Sequence, residues 1–293
     1  MATEKERDDV TGTETTGHEW DGIRELDTPL PRWWLHVFYA SILFSVVWWI
    51  LYPSWPIGTD YLKGVIGYSQ RMDFEESMDA ARAEQAQYWD AIAAKEMAEI
   101  QQDEQLLTFA LVGGESAFAD NCAPCHGLGG AGQGYYPALG DDDWLWGGTL
   151  DEIAYTINHG IRNNDDDDAR FSMMPAFGTD ELLEGEQIDA VTAYVLSLSG
   201  ADHDSATAAE GAVIYEENCA ACHLEDGKGD IYQGAPNLTD AIWLYGDGAE
   251  AVRAQIYNPK HGVMPPWTGR LEDSTIKMLT LYVHGLGGGQ IDE

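Results

Sequence analysis

Hydrophobic and polar residues are spread unevenly along the 293-residue chain. Residues 1–32 are polar and charged, and an unbroken apolar run, WWLHVFYASILFSVVWWILY, then fills 33–52. A helix of this length is about 30 Å long, the hydrocarbon thickness of a bilayer. Trp33 and Trp34 at one end, with Trp48, Trp49 and Tyr52 at the other, place aromatic rings at both interfaces, and Pro31 and Pro53 bracket the run. It exceeds the core of a cleavable signal sequence, about 7 to 15 residues. A signal anchor, a single transmembrane helix, is therefore predicted in preference to a buried helix of a soluble core. The one ionisable residue within it, His36, lies near its first end, where a neutral interfacial or helix-contacting role is expected.

Beyond the span the pattern becomes that of amphipathic helices. Residues 69–107 are rich in Ala, Glu, Gln and Met and lack Gly and Pro, which predicts a largely helical linker. Its Tyr88, Trp89, Ile92, Met97 and Ile100 give it apolar positions to pack on a following domain or on a partner. Helices are predicted over 108–121 and 208–218, and final amphipathic helices over 184–198 and 273–286, each packing back across its own unit. Gly- and Pro-rich loops lie between them, and the small polar stretch 200–209 reads as a linker. The organisation is a tail, 1–32; a transmembrane helix, 33–52; a linker, 53–107; and two domains, 108–200 and 208–287. The fold class is all-α.

The two domains repeat one another. Asn121-Cys-Ala-Pro-Cys-His recurs as Asn218-Cys-Ala-Ala-Cys-His, Trp144-Leu-Trp-Gly147 as Trp243-Leu-Tyr-Gly246, His159-Gly160 as His261-Gly262, and Tyr194-Val195 as Tyr282-Val283. Each unit also carries a Met-Pro pair, Met174-Pro175 and Met264-Pro265, lying 48 and 41 residues after the histidine of its motif.

Both copies of Cys-x-x-Cys-His, Cys122/Cys125/His126 and Cys219/Cys222/His223, point to covalent c-type haem, and together they use all four cysteines. The two thiols add to haem vinyl groups as thioethers, and the adjacent histidine binds iron. A zinc ribbon wants its pairs roughly 15 to 20 residues apart, whereas 93 residues separate Cys125 from Cys219. A redox disulfide leaves the duplicated histidine unexplained. Met174 and Met264 are the candidate distal ligands. A soft, neutral thioether favours ferrous iron and closes the sixth position, which suits electron transfer. Met173 competes with Met174, but only Met174 directly precedes proline as Met264 does. His159 and His261 offer a bis-histidine alternative with a lower potential.

Charge adds one constraint. The 51 acidic and 15 basic residues leave a net charge of −36, with runs at Asp141–Asp143 and Asp165–Asp168. Such a surface repels nucleic acid. It suits a saline habitat, and equally the steering of a basic electron donor such as a small cytochrome c. Arg24 and Arg32 before the span balance Lys63 and Arg71 after it, so positive charge does not orient it. Covalent haem c is assembled outside the cytoplasm in bacteria, which predicts an inner-membrane protein with a cytoplasmic N-terminus and periplasmic haem domains.

Glu25-Leu-Asp-Thr-Pro-Leu-Pro-Arg-Trp-Trp34 before the span, Leu51-Tyr-Pro53, Tyr61-Leu-Lys-Gly64, Gly67-Tyr-Ser-Gln-Arg71, Asp141-Asp-Asp-Trp-Leu-Trp-Gly-Gly148 and Ser172-Met-Met-Pro-Ala-Phe-Gly178 occur in this order. Together they resemble the dihaem subunit III of cbb(3)-type cytochrome c oxidase, from about residue 25 to 286. The resemblance implies two tandem cytochrome c-like domains behind a membrane anchor. It also implies an electron-transfer subunit of a proton-pumping oxidase, with no catalytic residue of its own. Electrons from a periplasmic cytochrome c would pass through two haem c groups and a monohaem subunit to a haem b/copper subunit that reduces oxygen. Cys122, Cys125 and His126 would hold one haem, Cys219, Cys222 and His223 the other. Met174 and Met264 would complete the iron spheres, each within its own unit or exchanged between them. The alternatives are a dihaem subunit of another membrane redox complex and a gas- or redox-sensing haem module, which needs an open sixth position.

Overall fold

The computed structural model describes residues 5–291, and the chain forms two compact units, up to Glu84 and from Gln85 onward. In the first unit the polar tail carries an antiparallel hairpin, β1 (Thr15–Trp20) and β2 (Ile23–Leu26). The sequence reading gave no element here, although the signal was present. Asp21-Gly22 forms the turn with φ of 47° and 84°, as an Asp-Gly hairpin turn requires. Helix α1 (Arg32–Leu51) buries no residue and is apolar on every side, the surface a bilayer-spanning helix presents. A second small hairpin, β3 (Pro56–Ile57) and β4 (Asp60–Tyr61), follows it.

Helix α2 (Gln70–Ala94) begins in the first unit and ends in the second. The expected long helix is broken twice more, giving α3 (Met97–Gln101) and α4 (Glu104–Asn121). Local capping explains both restarts: Glu96 forms a capping box with Glu99, and the Asp103 carboxylate accepts the Leu106 N–H at 3.2 Å. The Lys277 ammonium donates to the carbonyls of Ile92, Ala93 and Lys95 at the end of α2, where the helix dipole favours a cation.

The remaining helices are α5 (Ala123–His126), α6 (Leu150–His159), α7 (Gly185–Leu198), α8 (Ser205–Asn218), α9 (Ala220–His223), α10 (Gly248–Tyr257) and α11 (Asp273–His284). Helices α6 and α10 were not anticipated, although the capping box Thr149-x-x-Glu152 marks the start of α6.

The largest departure from expectation is in partner choice. Neither final helix packs back across its own unit. Helix α7 packs on α8 and α10, and α11 packs on α4 and α6. A short loop, 199–204, joins α7 to α8, so the local solution is an antiparallel helix pair. That leaves α4 open, and α11 fills the place. Each crossing depends on one glycine, since a methyl group on Gly114 would overlap the Met278 carbonyl and one on Gly211 the Ala190 carbonyl. Four residues after each glycine an aromatic ring meets a tyrosine: Phe118 with Tyr282 at 5.3 Å, Tyr215 with Tyr194 at 5.0 Å. Two cores of mixed parentage result. One joins Phe118, Ile153 and Ile157 to Ile276, Leu279 and Val283. The other joins Val191, Val195 and Leu196 to Tyr215, Val252 and Ile256. The first continues outward through Ile92, Ile100, Leu106 and Met278, so the end of the linker packs on a haem domain.

Candidate haem centres

Each Cys-x-x-Cys-His follows directly on a helix. Cys122 ends α4 and Cys219 ends α8, and one further turn, α5 or α9, carries the second cysteine and the histidine. The next residue must turn away with positive φ, 76° at Gly127 and 62° at Leu224. Glycine adopts this freely and leucine does not. The Tyr215 hydroxyl donates to the Leu224 carbonyl at 2.9 Å, a bond that Phe118 in the first copy cannot make.

The proximal histidines are held alike. His126 Nδ1 lies 3.1 Å from the Pro137 carbonyl and His223 Nδ1 3.1 Å from that of Pro236. A carbonyl only accepts, so Nδ1 carries the proton and Nε2 keeps its lone pair, the form that ligates a metal. Burial pushes both imidazoles below the ordinary histidine range, which also favours the neutral ring. None of the four cysteines is in a disulfide. Burial pushes the Cys122 and Cys219 thiols up to about 11, opposite to the depressed thiol of a redox Cys-x-x-Cys.

Both motifs open into a single cavity of about 910 Å³, walled by Trp146, Trp243, Trp267 and Tyr245 and also lined by Met174 and Met264. All eight residues singled out from the sequence thus line one space. This donor set fits haem c: paired thiols, an oriented imidazole, a soft thioether and an apolar wall for each of two irons.

The methionines sit crosswise. Met264 packs against the first core, as Cys122 and Ala123 do, while Met174 packs against the second, as Cys219 and Ala220 do. Backbone pairing enforces this. Ile161 and Met264 exchange both N–H···O bonds at 3.0 Å, and Trp267 donates to the carbonyls at the end of α6. In return, Gly178 and Thr179 donate to the Tyr257 carbonyl at the end of α10. Met173 is exposed and Met174 half-buried, and both line the cavity. His159 is turned to Asp166, 3.0 Å away, and does not line the cavity. His261 does line it. His36 is exposed on α1.

Comparison with known proteins gives matches over three successive segments. The N-terminal domain of cytochrome oxidase-cbb3, FixP, matches residues 12–59, cytochrome c matches 111–199, and cytochrome C oxidase, cbb3-type, subunit III matches 206–283. A cbb3-type cytochrome c oxidase subunit CcoP of Azospirillum sp. is 50% identical over 97% of this chain and 98% of its own length. A subunit FixPc of Rhizobium leguminosarum is 50% identical, covering 98% and 99%, and a CcoP of Cereibacter sphaeroides is 49% identical, covering 94% and 95%. The chain belongs to the cbb3-type oxidase subunit CcoP/FixP family. As a CcoP/FixP chain it has cytochrome c domains, which bind haem c and transfer electrons. Three contacts around the site were not anticipated from the sequence: the Tyr215 hydroxyl on the Leu224 carbonyl, the Cys222 thiol on Gln233 Oε1, and the Arg162 guanidinium on the Gly262 and Ser172 carbonyls. Only the first had a sequence signal, a leucine where the other repeat has glycine.

Proposed function

We propose that this chain is the electron-transfer subunit of a proton-pumping cbb3-type oxidase, carrying two haem c groups. It accepts electrons from a periplasmic cytochrome c and passes them, through a monohaem subunit, to an oxygen-reducing haem b/copper subunit. Helix α1 anchors it in a bacterial inner membrane as a single pass, with the N-terminus cytoplasmic and the domains of 108–200 and 208–287 periplasmic. The observation that carries the reading is the convergence of both Cys-x-x-Cys-His motifs and both Met-Pro methionines on one cavity.

When bound, each haem c supplies a one-electron iron couple. The chain does the rest. Cys122 and Cys125 anchor one haem and Cys219 and Cys222 the other, while His126 and His223 present Nε2 to the irons. Met264 would be the thioether ligand of the haem held by the first motif, and Met174 that of the haem held by the second. The support for this crossed assignment is the packing of each methionine with the other unit's cysteine-bearing core. With thioether and imidazole ligands the two haems would serve electron transfer, which would leave oxygen reduction to a partner subunit. The single cavity that both motifs line would let electrons pass directly between the two haems. The acidic surface steers a basic donor.

The test is isolation from native membranes in mild detergent, with haem b measured per haem c and oxygen uptake measured from a reduced cytochrome donor. Co-purifying haem b with oxygen reduction is expected. Haem c alone from an undissociated complex would assign the chain to another membrane redox system.

A further inference from the structure

In the repeat, His159-Gly-Ile-Arg162 aligns with His261-Gly-Val-Met264, so an arginine stands where the second unit has its methionine. The first methionine comes only after the acidic loop, at 174. Arg162 is half-buried and lines the cavity. Its Nε donates to the Gly262 carbonyl at 2.7 Å and its Nη1 to the Ser172 carbonyl at 3.0 Å. Gly262 lies two residues before Met264 and Ser172 two residues before Met174. One guanidinium therefore grips both methionine loops at equivalent points. Its backbone has φ of 49°, a left-handed conformation disfavoured for a long side chain. The neighbouring Ile161 is fastened to Met264 in both directions, which holds that conformation in place.

We propose that Arg162 is a positioning residue shared by the two haem centres, setting both methionine ligands at once. The inference rests on the methionine assignment above. The fork geometry suits the task, because the planar guanidinium aims Nε–H and Nη1–H at the two carbonyls from separate, fixed positions, whereas a lysine ammonium would have to reach both from one nitrogen. Its positive charge between the two centres also favours ferrous iron at each. A substitution at this one residue, in the first unit, is therefore expected to move both haems together.

The test is spectroelectrochemical titration of the haem c groups in the purified complex, with the methionine-to-iron charge-transfer band as a second readout. Arg162→Gly removes the guanidinium while keeping a residue that accepts this backbone conformation; Arg162→Lys keeps the charge and loses the fork. In R162G both midpoints should fall by about tenfold in the ferrous-to-ferric ratio, about 59 mV for one electron, and both bands should weaken. R162K should show a smaller fall at both. A shift at one haem only, or lower stability and haem loading with unmoved potentials, would overturn the proposal. M174A and M264A serve as controls, each expected to move a single haem. If neither moves any haem, the ligand assignment itself fails and Arg162 has nothing to position.

Discussion

The two halves of the haem region share a plan and differ in how they are supported. Both have a glycine-based helix crossing, an oriented histidine and a core against which the other unit's methionine packs. After the first motif the loop 127–140 contains no charged residue and Cys125 is exposed. After the second, the loop 224–237 carries Glu225, Asp226, Lys228 and Asp230. There the Cys222 thiol points at Gln233 Oε1, 3.2 Å away, while Gln233 Nε2 donates to the Ala221 carbonyl and to Asp230. The first core is buttressed by α2 and α3 and by the Lys277 ammonium, whereas the second rests on the α7–α8 pair. The difference shows where the repeat is constrained. The helix crossings are built alike in both halves, each on a glycine against a backbone carbonyl. Loops and outer supports face different surroundings and have diverged.

The sharpest way to break this comparison is to remove the methionines. In a chain carrying only the first haem, through Cys219→Ser and Cys222→Ser, M264A should open the ferrous haem to carbon monoxide and M174A should leave it closed. In the reciprocal chain, with Cys122 and Cys125 replaced by Ser, the roles reverse. Opening by the methionine of the same unit would return each ligand to its own domain.

The crossings come next. Gly114→Val and Gly211→Val should each cost about 2–3 kcal/mol in chemical unfolding, because the added carbon atoms meet backbone carbonyls that cannot yield. If the exchange of helices is right, the first loosens α11 and the second α7. Hydrogen exchange should therefore quicken in the helix at the far end of the other unit. Protection lost instead from α7 in the Gly114 variant would contradict the crossed packing.

The smallest effect concerns charge. Burial, with Asp240, Asp141 and Asp142 nearby, pushes the Asp143 carboxyl up to about 6. The folded chain thus holds a proton that the unfolded chain releases, and stability falls as pH rises from about 4 to about 6. Asp143→Asn should relieve this by about 1 kcal/mol at pH 7, allowing for partial exposure, and by nothing near pH 4. Unfolding curves at both pH values check it; equal effects at both would remove Asp143 as the titrating group.

Much of this site was legible in the sequence. The eight residues named from the two motifs and the two Met-Pro pairs all line the cavity, and α1 lies within one residue of the apolar run. The hairpin at Asp21-Gly22 and the start of α6 at Thr149 had readable signals that pattern counting passed over. Arg162 was not legible, since nothing local distinguishes an arginine that bonds two distant carbonyls from one in water.

The sequence alone determined the local chemistry. Cys-x-x-Cys-His is complete within five residues, and an apolar run of bilayer length needs no partner to declare itself. What only the tertiary structure decided is which half completes which. Helices α7 and α11 carry the same Tyr-Val signature, and α4 and α8 the same Gly-x-x-x-aromatic face, so the pattern permits either pairing. The short loop between α7 and α8 and the backbone bonds from Ile161 to Met264 select one of them. A repeated pattern fixes the kind of contact, and chain connectivity fixes the partner.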